Sequence, residues 1–125
     1  MQLVDAVNRR SWPEFEALID PSAVFVDHRP ASWGRLDRKG YIEITKQLPE
    51  MVPDVSVAVP EPVRLIGSRG VFVLTAQGET QEGSAIEFAW AIVGEFAGGR
   101  VKRLEYFDAA KVSDAMTRIE EMDSA

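Results

Sequence analysis

The sequence predicts an α+β fold, in which N-terminal helices pack on one face of a curved, mostly antiparallel sheet. Three observations support this prediction. Apolar residues recur at helical spacing up to about residue 51, and from residue 54 they alternate with polar or small residues, as in strands. The connections between the later strands are short, which favours antiparallel pairing. A curved sheet of this kind leaves a cone between sheet and helices, where a small apolar ligand would fit.

The length and composition fit a single domain that spans residues 1–125. The 14 basic and 20 acidic residues give a net charge of −6, and the scattered basic residues argue against nucleic acids and anionic membranes as partners. The chain has no cysteine and one histidine, so we expect no metal site and no cofactor. The first residues lack the apolar core of a signal peptide and no later window approaches a membrane span, so a cytoplasmic location is the expectation.

Three helices are predicted before the long strands. Leu3, Val4 and Val7 predict a short first helix, which begins abruptly enough to be a piece of a longer chain. Ser11 and Glu14 have capping-box spacing, which predicts a second short helix that ends near residues 20–21.

Asp37 is predicted to cap a third helix, which Pro49 should end or kink. Asp108 is predicted to cap a final helix after the last strand. The predicted strands cover residues 23–26, 55–59, 71–77, 86–93 and 101–107.

The first predicted strand ends in three ionisable residues, Asp27, His28 and Arg29. Because side chains alternate along a strand, Asp27 and Arg29 should share one face and His28 should point to the other. Asp27 could act as a general base in a cavity, or it could form a salt bridge with Arg29, which would lower its pKa and weaken it as a base. His28 could carry a proton near neutral pH, or lie at the surface or an interface.

The order of elements and three segments resemble the nuclear transport factor 2 superfamily, and within it the SnoaL-like polyketide cyclase and steroid Δ5-isomerase-like branch. The segments are AVFVDHRP at 23–30, DRKGYIEITKQL at 37–48 and GRVKRLEYFD at 99–108. The resemblance implies a cystatin-like cone with a deep hydrophobic pocket, usually in a homodimer. In the steroid isomerases an aspartate after the first strand is the general base, and Asp27 matches that position.

The resemblance has two departures that bear on activity. The oxyanion donors of the steroid isomerases are replaced by Leu3 or Val4 and by Trp90 or Ala91. Loss of one such donor costs about 10²–10³ in rate, so we do not expect steroid isomerisation. The dehydratases of this superfamily use more than one histidine, whereas this chain has His28 alone.

The resemblance directs one set of side chains on the last strand, Leu104, Tyr106 and Asp108, toward the pocket. Tyr106 would then replace the missing donors, unless it bonds to a structural acceptor. Asp27 and Tyr106 are predicted to face one cavity, where they would provide a proton acceptor and a donor. The candidate catalytic residues are Asp27, His28 and Tyr106, and the candidate substrate-binding residues are Arg29, Trp33, Tyr41, Phe88, Trp90, Leu104 and Asp108.

Two classes of function remain open from the sequence. One is a small isomerase, cyclase or hydrolase that transfers a proton on, or adds water to, a hydrophobic cyclic or polyketide-like substrate. The other is a non-catalytic ligand-binding or dimerisation module, originally fused to a larger regulatory protein. In either case we expect a homodimer through the outer sheet face, where Phe107, Val101 and the valines of the strand at 55–59 should be exposed.

Overall fold

The computed structural model describes residues 2–29, 34–58, 60–79 and 82–124. Two helices precede the first strand and a third helix precedes the later long strands, as predicted, and a 3₁₀ turn at Ala109–Lys111 leads into the last helix. Within the described ranges, no helix has the length and apolar character needed to cross a membrane. The helices are α1 (Gln2–Asn8), α2 (Trp12–Ala17), α3 (Arg38–Met51) and α4 (Val112–Ser124).

In the described part of the chain, seven strands form one curved sheet. Their order is β2-β1-β7-β6-β5-β3, and β4 also pairs with β5. Every pairing is antiparallel except that of β1 with β7, which is parallel. The prediction of an α+β fold with a mostly antiparallel sheet is therefore confirmed. The strands are β1 (Ile19–Asp27), β2 (Arg35–Leu36), β3 (Ser56–Val57), β4 (Glu61–Ile66), β5 (Arg69–Glu79), β6 (Ala85–Ala97) and β7 (Arg100–Asp108).

Helices lie on both faces of the sheet. The inner face carries the main core, in which Phe15 of α2 and Tyr41 of α3 pack with Phe25 and Ile92 from the strands. The outer face carries α4, which packs on a separate apolar cluster through Ile119 and its neighbours. The last helix thus covers a surface that the sequence interpretation left bare.

The outer face does not have the composition predicted for a dimer surface. Phe107 points outward but is only 8% exposed, because α4 covers it. Val101 lies in the inner core, Val55 is buried, and Val57 packs with the inner clusters. Val59 lies outside the described residues. The prediction of an exposed outward patch is therefore wrong for Phe107 and for the three valines that the structure describes.

A β-bulge explains the position of Val101. In the ladder between β6 and β7, Glu95 pairs with Arg103 but Phe96 pairs with Val101, so Lys102 is an extra residue. An extra residue shifts the two-residue alternation and turns the preceding side chain to the opposite face. Val101 therefore shares the inner face with the core rather than pointing outward.

Several element boundaries differ from the predicted ones. Asp37 caps α3 by accepting a hydrogen bond from the Gly40 amide at 2.9 Å, as predicted. Ser11 and Asp108 make no side-chain cap, although each lies at a helix start. Pro49 lies inside α3, which continues to Met51, because a proline in the last turn removes only one hydrogen bond.

Candidate functional site

A cavity of about 390 Å³ lies between the helices and the inner face of the sheet. Its wall is mainly apolar, with side chains from α1, α3, β5, β6 and β7. None of the described lining residues carries a charge. The polar side chains in the wall are Tyr41, Thr45, Gln47 and Tyr106.

Two tyrosines form a buried hydroxyl pair in the cavity wall. Tyr41 of α3 and Tyr106 of β7 have hydroxyl oxygens 2.5 Å apart. The Tyr41 ring stacks on Phe25 with centroids 3.8 Å apart, and the Tyr106 ring meets Trp90 edge to face at 6.3 Å. These ring contacts hold both phenols in the wall, so the two hydroxyl groups form a preorganised polar site in a mainly apolar cavity.

Both phenols are neutral at physiological pH. Burial raises the pKa of Tyr41. Burial also raises the pKa of Tyr106 well above its ordinary value, and the neighbouring Tyr41 adds to that rise, while the charge of Arg29 opposes it. Neutral phenols donate hydrogen bonds, so the pair can donate to an oxygen atom of a ligand.

Asp27 and Arg29 form a salt bridge beside the tyrosine pair. The Arg29 Nε donates to Oδ1 at 2.9 Å and its Nη2 donates to Oδ2 at 2.7 Å. The Asp27 side chain is 0% exposed, and Asp27 pairs with Tyr106 in the parallel ladder. Alternation correctly predicted that Asp27 and Arg29 share a face.

Only one of the two residues predicted to face the cavity lines it. Tyr106 does, whereas Asp27 is absent from the described residues of the wall. Asp27 does not line the cavity because its bidentate salt bridge with Arg29 holds the carboxylate at the end of the strand. Arg29 itself is also absent from that wall.

His28 lies on the opposite side of the sheet, as alternation predicted. Its Nε2 is 2.6 Å from Oε1 of Glu105, and its ring stacks on Phe107 with centroids 4.6 Å apart. The structure therefore places His28 away from the cavity in which a catalytic role was considered.

Glu105 is the centre of an ionic cluster that the sequence interpretation missed. The Arg103 Nε donates to Oε2 at 2.6 Å, and the Arg118 Nε of α4 donates to Oε1 at 2.9 Å. Burial alone would raise the pKa of Glu105, but the hydrogen bonds from Arg118, Arg103 and His28 lower it to about 2. The sequence did contain one signal, because Glu105 lies between apolar neighbours in a predicted strand. A glutamate that is buried in this way requires charged or hydrogen-bonding partners.

The remaining candidates divide between the cavity and other places. Phe88, Trp90 and Leu104 line the cavity, and their role in substrate binding stays a prediction. Asp108 is exposed at the end of β7 and is not in the wall, although its charge attracts that of Arg29. Trp33 lies outside the described residues.

Sequence reasoning missed part of the wall. Leu3 of α1 and the inward side chains of β5, Phe72 and Leu74, also line the cavity. The alternation in β5 was a usable signal for Phe72 and Leu74. The packing of α1 against the sheet was not visible in the sequence.

Solved structures with the same fold are similar to this chain at low sequence identity. IdmH from Streptomyces antibioticus, provisionally described as a polyketide cyclase, has 18% identity, a TM-score of 0.71 and coverage of 91% of each chain. A provisionally assigned isomerase from Bacillus subtilis has 20% identity and a TM-score of 0.69, covering 83% of this chain and 78% of that one. A cystatin-fold protein from Novosphingobium aromaticivorans has 14% identity and a TM-score of 0.65, covering 85% of this chain and 92% of that one.

Comparison of the sequence with protein-family models identifies the family of this chain. Curated protein sequences give no match. The family model of the SnoaL-like domain matches residues 1–104, which includes all of α1 to β6 and the first half of β7. The chain therefore belongs to the SnoaL-like domain family.

Proposed function

We propose that this chain binds a hydrophobic cyclic molecule in the cavity and that the Tyr41–Tyr106 pair donates a hydrogen bond to an oxygen atom of that molecule. The observation that carries the proposal is a pair of buried phenols in a mainly apolar, uncharged wall. An apolar cavity with a few placed polar groups is the usual form of a small-molecule site.

The aromatic side chains of β6 favour a flat ligand. Phe88 and Trp90 lie with ring centroids 5.8 Å apart and an interplanar angle of 5°, and both line the cavity. The two rings are parallel and stacked on each other, and stacked aromatic rings in a cavity wall favour a planar ring system as the ligand.

Comparison of 2-naphthol with naphthalene tests the proposed hydrogen bond. We expect 2-naphthol to bind the wild-type protein about three- to tenfold more tightly than naphthalene, the range of one net hydrogen bond. Tyr106→Phe should remove that difference and leave naphthalene affinity unchanged, as measured by tryptophan fluorescence. Equal affinities of the two compounds for the wild-type protein would contradict the proposal.

A second candidate function is proton transfer on a cyclic ketone, of the isomerase, cyclase or hydrolase type. Asp27 supports it, because Asp27 and Tyr106 are neighbours in the parallel ladder and the charge of Asp27 acts on the Tyr106 phenol. The competing possibility is a ligand-binding module without turnover, which is consistent with the salt bridge of Asp27 to Arg29 and with its absence from the described cavity wall.

Hydrogen exchange of 2-tetralone in D₂O distinguishes these two possibilities. An enzyme should accelerate exchange at the carbon next to the carbonyl, and Asp27→Asn should lose about 10²–10⁴ of that rate while 2-naphthol still binds. A binding module should give the buffer rate in the wild-type protein. Nuclear magnetic resonance of the ketone measures both rates.

We also propose that the chain forms a homodimer, through a different surface from the one predicted. Val63 and Leu65 of β4 are 46% and 64% exposed. Among the described strands β4 pairs with β5 alone, so its other edge can receive a second strand. Light scattering at micromolar concentration should give the mass of a dimer, and Leu65→Lys should give that of a monomer.

A further inference from the structure

A second cavity, of about 270 Å³, adjoins the first one. It lies near the start of β7 and the end of α2, at the other end of the inner face from the tyrosine pair. None of its described lining residues is charged. These residues are Gln2, Leu3, Leu18, Phe72, Phe96, Gly99 and Val101.

Three side chains line both cavities and form the partition between them: Leu3, Phe72 and Phe96. They come from α1, β5 and β6, and the two phenylalanine rings meet edge to face at 6.1 Å. All three are partly exposed rather than fully buried. Rotation of such side chains does not break backbone hydrogen bonds, so the partition can open without a change in the sheet.

Strand β7 runs beneath both cavities. Tyr106 and Leu104 line the first cavity, and Val101 lines the second. Tyr106 and Val101 lie opposite Ile92 and Phe96, four residues apart on β6, and a rise of about 3.3 Å per residue gives roughly 13 Å between their positions. The bulge at Lys102 keeps Val101 on the inner face, so this whole length of strand contributes to one continuous apolar floor.

We propose that the two cavities are subsites of one elongated site, which takes a cyclic head group bearing an oxygen atom and an unbranched alkyl chain attached to it. The head group of the ligand lies in the first cavity at the tyrosine pair. Its alkyl chain extends past the partition into the second cavity. The position of the head group rests on the proposed function above. The uncharged wall of the second cavity favours the alkyl chain of the ligand, because each methylene group that is buried there raises the affinity about fourfold.

A series of 4-alkylphenols, from ethyl to decyl, tests this assignment by tryptophan fluorescence below the micelle concentration. For the wild-type protein we expect affinity to rise about fourfold per methylene over chains of up to roughly eight carbons, the length that spans the two subsites. A short chain reaches only the first subsite, so 4-ethylphenol serves as the internal control.

Two variants fill the second cavity without touching the first. Leu18 lines only the second cavity, so Leu18→Trp should leave 4-ethylphenol affinity unchanged and lower 4-octylphenol affinity at least tenfold. Gln2 is exposed on α1 and also lines only the second cavity, so Gln2→Trp repeats the test if Leu18→Trp does not fold.

The outcomes separate this inference from the proposed function. Suppose that 4-ethylphenol binds in a Tyr106-dependent way. If longer alkyl chains then give no gain in affinity, or if neither tryptophan variant lowers the affinity for 4-octylphenol, the elongated site is overturned and the proposed function is not. Absence of Tyr106-dependent binding of 4-ethylphenol would instead overturn the proposed function. A length-dependent gain that either tryptophan variant abolishes supports the two-subsite assignment.

Discussion

Tyr41 and Tyr106 are 65 positions apart in the chain, yet their hydroxyl oxygens lie 2.5 Å apart in the core. The contact joins α3 to β7, so it connects the helical layer to the sheet at the cavity wall. The pair is therefore both a structural contact and a polar part of the candidate site.

A double-mutant cycle on this pair should give a favourable coupling energy. We expect Tyr41→Phe and Tyr106→Phe each to lower the free energy of unfolding by about 1 kcal/mol, because each leaves a buried hydroxyl without this partner. The double variant should lose less than the sum by about 0.5 kcal/mol or more. Urea unfolding measures the three differences, and strict additivity would contradict a direct contact.

The buried glutamate on the outer face should make stability depend on acid pH. Glu105 has a side chain only 1% exposed and a pKa of about 2 in the folded protein, against an ordinary value of 4.5. A carboxylate with a lowered pKa stabilises the fold fully above its unfolded pKa, and this contribution is lost as the pH falls toward the folded pKa. We expect a loss on the order of 3 kcal/mol between about pH 5 and pH 2.

Glu105→Gln provides the test of this pH dependence. The variant should be less stable by about 2–3 kcal/mol at pH 7, and its stability should fall less than that of the wild type on acidification. Glu121→Gln is the matched control, since Glu121 is an exposed partner of the same Arg118. Parallel pH profiles of the wild type and Glu105→Gln in urea unfolding would refute the assignment.

The C-terminal helix should contribute strongly to stability. Ile119 is fully buried in the cluster beneath α4, so Ile119→Ala should lower the free energy of unfolding by about 2–4 kcal/mol. Thr117→Ala, an exposed position on the same helix, should change it by less than about 0.5 kcal/mol. If Ile119→Ala were as mild as Thr117→Ala in denaturant unfolding, α4 would not be packed as described.

Filling the first cavity should weaken ligand binding without loss of the fold. Leu74 lines the cavity, whereas its neighbour Val73 points to the other face of β5. We expect Leu74→Trp to weaken 2-naphthol binding about tenfold or more, equivalent to ~1.4 kcal/mol, and Val73→Trp to leave it within about twofold. Calorimetric titration of both variants checks the direction of the two side chains.

Alternation predicted the local directions of side chains well. From the sequence alone, His28 was expected to oppose Asp27, and the structure places them on opposite faces. The resemblance directed Tyr106 and Leu104 inward, and both line the cavity. Each of these results depends on the two-residue period within one regular strand.

The sequence did not predict features that depend on pairing between distant segments. The tyrosine contact requires α3 and β7 to meet, and the Glu105 cluster requires α4 to lie over β7. The parallel pairing of β1 with β7 joins residues far apart in the chain, for which no local pattern exists. Strand β4 was missed because Pro60 and Pro62 suggested an interruption rather than a separate edge strand.

The extra residue in β7 keeps a charged side chain out of the floor beneath the two cavities. If β7 kept its length but lost the bulge, Phe96 would pair with Lys102, the lysine would point to the inner face and Val101 would turn outward. In the bulged strand Lys102 instead forms an ion pair with Asp20 at 3.1 Å, and Val101 stays opposite Phe96. Deletion of Lys102 would remove the bulge and leave Val101 on the inner face. Homologous chains that keep this floor should therefore carry either the bulge or a strand that is one residue shorter at this position.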